Sequence, residues 1–249
     1  RPVSYVSFKT KSNDGGQHKV QLYFGASTNL ATNVPSQQVT AQQYTSCNLS
    51  LLKAGTVEQP ILKKRGDDLR IDWGYVYIAA PASQKVIQSI AGMDVSVKSF
   101  VSNIQLEKNT TKGKELMLNT VFAPEKVGIT ETEKMVMVGY DNLYEIQYFQ
   151  QNLKPGWKLK DGATIEKLLQ QSYSEYGSIL SKCDAVNKMI YNDALKAGGE
   201  TYAKLCITAY RQSIAAHSLV KSPQGDLLFF SKENFSNGCI NTVDVTYPS

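Results

Sequence analysis

The residues best suited to catalysis are concentrated at positions 231–247, directly after the apolar run at residues 227–230. They are a lysine, two carboxylates, two amides and a tyrosine, namely Lys232, Glu233, Asn234, Asn237, Asp244 and Tyr247. Glu233 and Asp244 could work as an acid/base pair, or could join Asn237 as oxygen ligands for a hard cation. The competing interpretation is a long ordered loop whose side chains bind backbone, and the residue types alone support both equally.

Other catalytic arrangements have little support. A Ser-His-Asp triad would have to use His18, beside a predicted turn, or His217, on a predicted helix, because the chain has 2 histidines. The four cysteines show no metal-ligand spacing, and Cys183 and Cys206 fall on apolar helix faces, which predicts buried free thiols. No glycine loop has a phosphate-binding pattern. We therefore predict no metal site and no cofactor.

Charge and hydropathy exclude two classes of partner. The 249 residues carry a net charge of +5, and the densest basic cluster, residues 63–65, is followed closely by Asp67 and Asp68. We therefore expect no nucleic-acid partner. No apolar run approaches the roughly 18 residues of a membrane-spanning helix, so no membrane span is expected.

The secondary structure predicted for the elements that position the polar segment changes along the chain from strands to helices. Residues 1–138 show period-two alternation between turn residues, with candidate strands that include 46–52, 96–106 and 115–123. This pattern predicts an antiparallel β-sandwich. Residues 139–163 form an aromatic-rich connector, for which we expect a packing role more readily than a ligand cage.

From Thr164, a candidate N-cap, apolar residues recur every three or four positions, which predicts a helix that ends at Gly198-Gly199. A second helix is predicted from Glu200 to Val220. Residues 164–249 would thus hold an αα-hairpin and the polar loop. Its wide apolar stripe must pack on the β domain or on further helices. The chain starts without Met and stops without a tail, so we expect a piece of a longer protein.

Five groups of residues resemble the glutaminase A family, whose members are secreted or periplasmic. The groups are FFSKENFSNG (229–238) with TVDVTYPS (242–249), RPVSY (1–5), DWGY (72–75), YDNLY (140–144) with QYF (147–149), and YA (202–203) with YRQ (210–212) and AAH (215–217). They cover the whole chain in order. The resemblance implies a β-supersandwich followed by the first hairpin of an (α/α)6 toroid, as in six-hairpin glycosidases. It also implies an extracytoplasmic location and hydrolysis of L-glutamine to L-glutamate and ammonia.

Within that activity, local chemistry assigns catalysis to Glu233, Asp244 and Lys232. It assigns substrate binding to Asn234, Asn237, Tyr247 and Arg211, the last as a partner for a carboxylate. The expected partners are a small-molecule or carbohydrate substrate and the remaining segments of the protein's own longer chain.

Two alternatives stay open. The same architecture is used for carbohydrate processing, where Trp73, Tyr144 and Trp157 could stack on sugars and Glu233 or Asp244 could be one of two carboxylates. The chain could also be a structural or interaction domain without activity.

Overall fold

The computed structural model describes residues 1–104, 109–233 and 238–242. Its strands are β1 (Val3–Thr10), β2 (His18–Val20), β3 (Tyr23–Ser27), β4 (Val39–Ser46), β5 (Leu49–Thr56), β6 (Tyr75–Pro81), β7 (Val86–Gly92), β8 (Lys112–Gly113), β9 (Leu116–Phe122), β10 (Glu125–Val127), β11 (Thr132–Asp141), β12 (Ile146–Tyr148), β13 (Gln151–Leu153), β14 (His217–Lys221) and β15 (Leu227–Ser231). Its helices are α1 (Met93–Val101), α2 (Ile165–Ser174) and α3 (Tyr176–Ala215). Antiparallel sheets followed by a helical region confirm the predicted α+β class.

Contacts divide the chain into two compact units. The first comprises residues 1–63, 70–143 and 162–170, and the second comprises residues 64–69, 144–161 and 171–249. The domain limits drawn from the sequence at residues 138 and 163 stay a prediction.

The first unit is a β-sandwich. One sheet has six strands in the order β1-β11-β6-β5-β4-β8, and the facing sheet has three in the order β3-β9-β7. Alternate side chains from both sheets meet in one core that includes Ala26, Val39, Leu52, Ala54, Val76, Ile78, Ile90 and Leu118. The period-two pattern identified Val76, Ile78 and Leu118 of this core, because alternate residues of a strand point to the same face of the sheet.

The strand predicted at residues 46–52 is wrong, since a tight turn divides it. β4 ends at Ser46 and β5 begins at Leu49. Cys47 and Asn48 between them have φ angles of 51° and 58°. Two successive residues with positive φ are typical of a two-residue β-hairpin turn. The sequence pattern did not reveal this turn, because β5 carries apolar residues on both of its faces.

The strand predicted at residues 96–106 is also wrong, because residues 93–101 form α1. The alternation of Val95, Val97 and Val101 with polar residues suggested a strand. In the helix, the Ser96 hydroxyl donates to the carbonyl of Gly92 (2.9 Å) and the Ser99 hydroxyl donates to that of Val95 (2.7 Å). These bonds satisfy both serine hydroxyls inside the helix.

Helix α2 begins where the sequence predicts. The backbone N–H of Lys167 donates to the Thr164 hydroxyl at 3.3 Å, so Thr164 is the N-cap. The helix buries Ile165 and Leu169. A Cβ on Gly139 of β11 would lie 3.2 Å from the Leu169 side chain, so glycine at this position lets α2 approach the sheet closely.

Helix α3 is an αα-hairpin, as predicted, but its first arm begins at Tyr176. The prediction of one helix from Thr164 to Gly198 is wrong, because Glu175, with φ −96° and ψ 2°, separates α2 from this arm. Gly199 interrupts α3 with φ 78° and ψ −175°. Arg211 donates from Nε to Asn187 Oδ1 at 3.2 Å, although 24 residues separate them. In one straight helix those residues would be about 36 Å apart. The chain therefore reverses at Gly199, and its two arms lie side by side.

The second predicted helix ends early. It was expected to reach Val220, but α3 ends at Ala215 and residues 217–221 form β14, which pairs with β15. His217 accordingly lies on a strand. The turn residues Pro223 and Gly225 close this β-hairpin rather than terminating a helix. Behind the hairpin, Ile146, Leu153 and Val220 form a small buried core of the second unit.

Cys183 and Cys206 are free, as predicted, but Cys183 is exposed and Cys206 is half-buried, so the prediction that both are buried is wrong. Across residues 1–104, 109–233 and 238–242, no helix combines the length and apolar character needed to cross a membrane.

Candidate functional site

The structure describes three of the seven predicted site residues. They are Lys232 and Glu233, after β15, and Arg211, on the second arm of α3. Asn234, Asn237, Asp244 and Tyr247 lie outside the described residues.

The described part of the polar segment folds back on itself. The N–H of Asn241 donates to the carbonyl of Ser231 (2.9 Å), and the N–H of Glu233 donates to that of Cys239 (3.1 Å). Lys232 and Ile240 form an antiparallel bridge between these bonds. Residues 231–233 and 239–242 therefore extend the β14–β15 hairpin, which gives Lys232 and Glu233 a fixed backbone.

Lys232 forms a nearly buried ion pair with Glu145, which lies just before β12. Lys232 Nζ is 3.1 Å from Glu145 Oε1, and the two side chains are 9% and 13% exposed. Nζ also donates to the backbone carbonyl of Glu145 at 2.9 Å. Ser218 of β14 donates from Oγ to the same carboxylate oxygen at 2.5 Å. Glu145 thus joins the connector, β14 and the polar segment at one carboxylate.

This arrangement decides what Lys232 can do. An ammonium group offers three N–H donors and no lone pair, so Lys232 in this ion pair is a donor and an anchor. Loss of either partner would leave an uncompensated buried charge, which typically costs about 3–5 kcal/mol of folding free energy. The geometry therefore supports a positioning role for Lys232 rather than that of a base.

Glu233 presents the second carboxylate of the segment. Its Oε1 accepts a hydrogen bond from the Thr242 hydroxyl at 2.7 Å. This bond holds the Glu233 carboxylate in a defined orientation. Its half-buried side chain is consistent with a group that takes a proton from water.

Arg211 occupies a different place in the second unit. Its Nε binds Asn187 across the αα-hairpin, and the residue is exposed. No contact among the described residues joins Arg211 to Lys232 or Glu233.

Sequence reasoning missed Glu145 and gave no role to Ser218. Glu145 is the one carboxylate between Tyr144 and Trp157, in a segment we interpreted by its aromatic residues. No local signal could have found it, because its partner Lys232 is 87 residues away and only the folded chain brings the two together. Ser218 was assigned to a helix end, where it could not have faced Glu145.

A second polar cluster lies in the first unit, where α2 meets β4, β5 and β6. The Tyr44 hydroxyl donates to Glu166 Oε1 at 2.7 Å. Lys53 Nζ lies 3.9 Å from the centroid of the Tyr75 ring and 5.7 Å from that of Tyr77. These contacts tie the first turn of α2 to the six-stranded sheet.

The electrostatics of this second cluster indicate a structural role. Burial raises the pKa of Tyr44 far above its usual range, and the hydrogen bond to Glu166 adds to that rise. Burial alone would raise the pKa of Glu166, but the Tyr44 hydrogen bond, backbone and Thr164 bonds and the Lys53 charge together lower it. Glu166 is therefore held ionised, and its carboxylate is a strong acceptor for the Tyr44 hydrogen bond that joins α2 to the sheet.

No metal ion is needed to explain either cluster. Among the residues that the structure describes, no three His, Cys, Asp or Glu side chains gather in a way that could hold a metal ion.

Two family models match this chain. One, described as a domain of unknown function (DUF5127), covers residues 1–193. The chain belongs to the DUF5127 family. The other, described as the glutaminase A six helical-hairpin domain, covers residues 199–249. The DUF5127 match thus spans the sandwich and the first arm of α3, and the second match begins at the Gly199 turn.

A relative supports the same placement of this DUF5127 chain. Glutaminase A of Aspergillus oryzae (strain ATCC 42149 / RIB 40) is 25% identical over 264 residues, covering 99% of this chain. The chain spans 37% of that relative's length. Together with the six-hairpin match, this relative confirms the resemblance to the glutaminase A family.

The ion pair has a definite place relative to the two matches. Glu145 lies in the DUF5127 match, whereas Ser218 and Lys232 lie in the six-hairpin match. In this DUF5127 chain, Lys232 and Glu145 are 87 positions apart in the sequence, and their ion pair therefore links the two matched segments.

Proposed function

We propose that the protein carrying this chain hydrolyses the side-chain amide of L-glutamine to L-glutamate and ammonia, with residues 231–247 forming part of its active site. One coincidence carries the proposal. The densest group of residues with acid/base chemistry lies inside the segment that matches the glutaminase A six helical-hairpin domain. The relative that aligns with the chain is itself named Glutaminase A.

In this proposal Glu233 is the general base. It takes a proton from a water molecule whose oxygen bonds to the amide carbon of glutamine. The C–N bond then breaks, and the same proton passes to the departing nitrogen, which leaves as ammonia. Asp244 serves as the second carboxylate of the site. The hydrogen bond from Thr242 to Glu233 supports the role of Glu233 as base, because a base must be held in position to accept a proton efficiently.

The remaining predicted residues bind the substrate or position the base. Asn234, Asn237 and Tyr247 supply donors for the oxyanion and the substrate's polar groups. Arg211 uses the ends of its guanidinium for a carboxylate of glutamine, since its Nε is the atom that binds Asn187. Lys232 is a positioning residue that holds the segment through Glu145.

The carbohydrate alternative loses one of its three stacking residues. Trp73 is 8% exposed, and its carbonyl accepts a hydrogen bond from the Tyr140 hydroxyl at 2.8 Å. A sugar cannot stack on an indole that is buried in this way.

One comparison of substrates tests the proposal. Ammonia release from L-glutamine and reducing-sugar release from a panel of glycans would be measured with the protein as the cell makes it. We expect turnover of L-glutamine and none of the glycans. Glycan cleavage with background glutamine turnover would replace the proposal by the carbohydrate alternative, and the absence of both activities would support a non-catalytic role.

A further inference from the structure

Helix α1 of the first unit turns polar residues toward the protein and apolar residues toward solvent, the reverse of an ordinary surface helix. Ser96 and Ser99 are 3% and 8% exposed on its inner face, whereas Met93, Val97 and Val101 are 47%, 50% and 76% exposed on its outer face. A surface helix normally turns its apolar stripe toward the protein. Helix α1 therefore presents serine side chains to the space beneath it.

That space is a cavity of about 320 Å³ between α1 and the outer face of the three-stranded sheet. Its lining includes Gln21, Tyr23, Ser89, Ser99, Phe100 and Asn119. This volume is at the lower end of the range of about 300–1,000 Å³ that is typical of small-molecule sites.

A hydrogen-bonded chain fixes the floor of the cavity. The Tyr23 hydroxyl donates to Asn119 Oδ1 at 2.7 Å, and Asn119 Nδ2 donates to the Ser96 hydroxyl at 3.0 Å. Asn119 is 2% exposed, so its amide is held in one orientation. Gly25 makes room for this chain, because a Cβ there would lie 2.5 Å from the Tyr23 hydroxyl.

Other polar groups of the lining are available to a ligand. Among the described residues, the side chains of Gln21 and Ser89 make no hydrogen bond, and both face the cavity. The Ser99 hydroxyl donates within α1, which leaves its oxygen as an acceptor. The described lining of the cavity thus offers the Gln21 amide and the Ser89 hydroxyl, which can each donate and accept, and the Ser99 oxygen, which can accept.

An aromatic wall completes the cavity. The rings of Tyr23 and Phe100 lie with centroids 5.1 Å apart, and Ile87 and Val121 add apolar groups to the lining. None of the described residues that line the cavity is Lys, Arg, His, Asp or Glu. A charged ligand would lose its hydration there without gaining a partner charge, so the lining favours an uncharged ligand with both polar and apolar faces.

We propose that this cavity binds a neutral sugar ring, a pyranose unit, apart from the glutamine site. The ring hydroxyls bond to Gln21, Ser89 and Ser99, and the C–H face of the ring lies against Phe100. Zwitterionic glutamine does not meet these requirements. The proposal is thus independent of the proposed amide hydrolysis.

The test uses uncharged methyl glycosides of glucose, galactose and mannose as probes. Their binding to the protein would be followed by saturation-transfer NMR and by calorimetric titration. Ser89→Phe places a ring in the cavity from a strand position that tolerates aromatic residues. Ser4→Phe makes the same change at an exposed position of β1 and is the matched control. Gln21→Leu removes an amide without filling the space, and circular dichroism verifies that each variant is folded.

We expect at least one methyl glycoside to bind the unaltered protein and the Ser4→Phe variant equally. Ser89→Phe and Gln21→Leu should each weaken that binding at least about tenfold. Absence of binding by all three probes, or equal binding to a folded Ser89→Phe or Gln21→Leu variant, would overturn the proposal. Glutamine turnover should be the same in Ser89→Phe as in the unaltered protein, so failure of one proposal leaves the other intact.

Discussion

Lys232 and Glu145 form a nearly buried ion pair, so the stability of the fold depends on keeping both charges. Lys232→Met keeps most of the side-chain volume and leaves Glu145 without its cation. We expect a loss of about 3–5 kcal/mol in the free energy of unfolding, measured by chemical denaturation. Lys221→Met, at an exposed position of β14, should change it by less than about 0.5 kcal/mol.

A double variant separates charge from packing at this site. Adding Glu145→Gln to Lys232→Met removes the stranded carboxylate, so part of the lost stability should return. If Lys232→Met alone were as stable as the unaltered protein, the pair could not be the anchor of the polar segment.

Asp14 provides a test of electrostatics in the loop before β2. Hydrogen bonds from His18 first, then from Ser12 and the Gly16 N–H, lower the pKa of Asp14 from 3.8 to about 2. Ionised Asp14 therefore stabilises the folded loop above about pH 4, and this contribution is lost as the pH falls toward 2.

Carbon NMR of the Asp14 carboxyl should show a midpoint near 2, and His18→Ala should move that midpoint back toward 3.8. Lys19→Ala, which removes a neighbouring exposed charge, should shift it much less. A midpoint near 3.8 in the unaltered protein would contradict the described hydrogen bonds.

The sequence could identify some of these residues and not others. Lys232 and Glu233 were recognisable because they lie in one dense polar run. The partner of Lys232 was not, because Glu145 is 87 residues away and only the folded chain brings them together. Local spacing carries no information about such a pair.

At the scale of elements, the αα-hairpin depends on Gly199. Its combination of φ 78° and ψ −175° is essentially confined to glycine, so Gly199→Ala should cost about 1–3 kcal/mol of stability. A Cβ at Gly199 or at Gly177 would meet nothing within 4 Å, so backbone conformation is the difference between them. Gly177→Ala, inside the first arm, should instead stabilise the protein by about 0.5–1 kcal/mol.

Thermal or chemical unfolding of both variants gives the comparison. Equal effects of the two substitutions would show that the chain does not reverse at Gly199.

Helix α2 depends on the hydrogen bond between Tyr44 and Glu166. Tyr44→Phe removes the donor, so the pKa of Glu166 should rise and the protein should lose about 1 kcal/mol, a value reduced by the partial exposure of Glu166. Tyr75→Phe keeps the ring over which Lys53 lies and should leave both quantities nearly unchanged. NMR titration of Glu166 and chemical unfolding measure them, and an unchanged Glu166 pKa in Tyr44→Phe would contradict the contact.

The elements show which patterns a sequence encodes reliably. The sandwich strands were predictable where buried and exposed positions alternate. The hairpin was predictable because its apolar residues recur every three or four positions, although many of them, such as Leu180, Met189 and Leu205, are exposed. α1 was not, because its apolar residues face outward and its inner face is serine. β14 was not, because its five residues follow α3 after a single position and continue an apolar spacing that suits a helix.

At the scale of the whole molecule, the chain combines a β-sandwich that belongs to the DUF5127 family with a helical segment that matches the glutaminase A six helical-hairpin domain. The change from period two to period three and four along the sequence was sufficient to predict this α+β organisation. The site was harder to predict, because its anchor uses residues from both matched segments.

The central claim is that Glu233 acts as the base in hydrolysis of L-glutamine. The most direct measurement is kcat/KM for ammonia release from L-glutamine by Glu233→Gln, compared with Glu58→Gln, an exposed glutamate of the sandwich. We predict a loss of at least about 100-fold in Glu233→Gln, because general base catalysis typically contributes that much, and no change in Glu58→Gln. Equal activity of the two folded variants would contradict the claim.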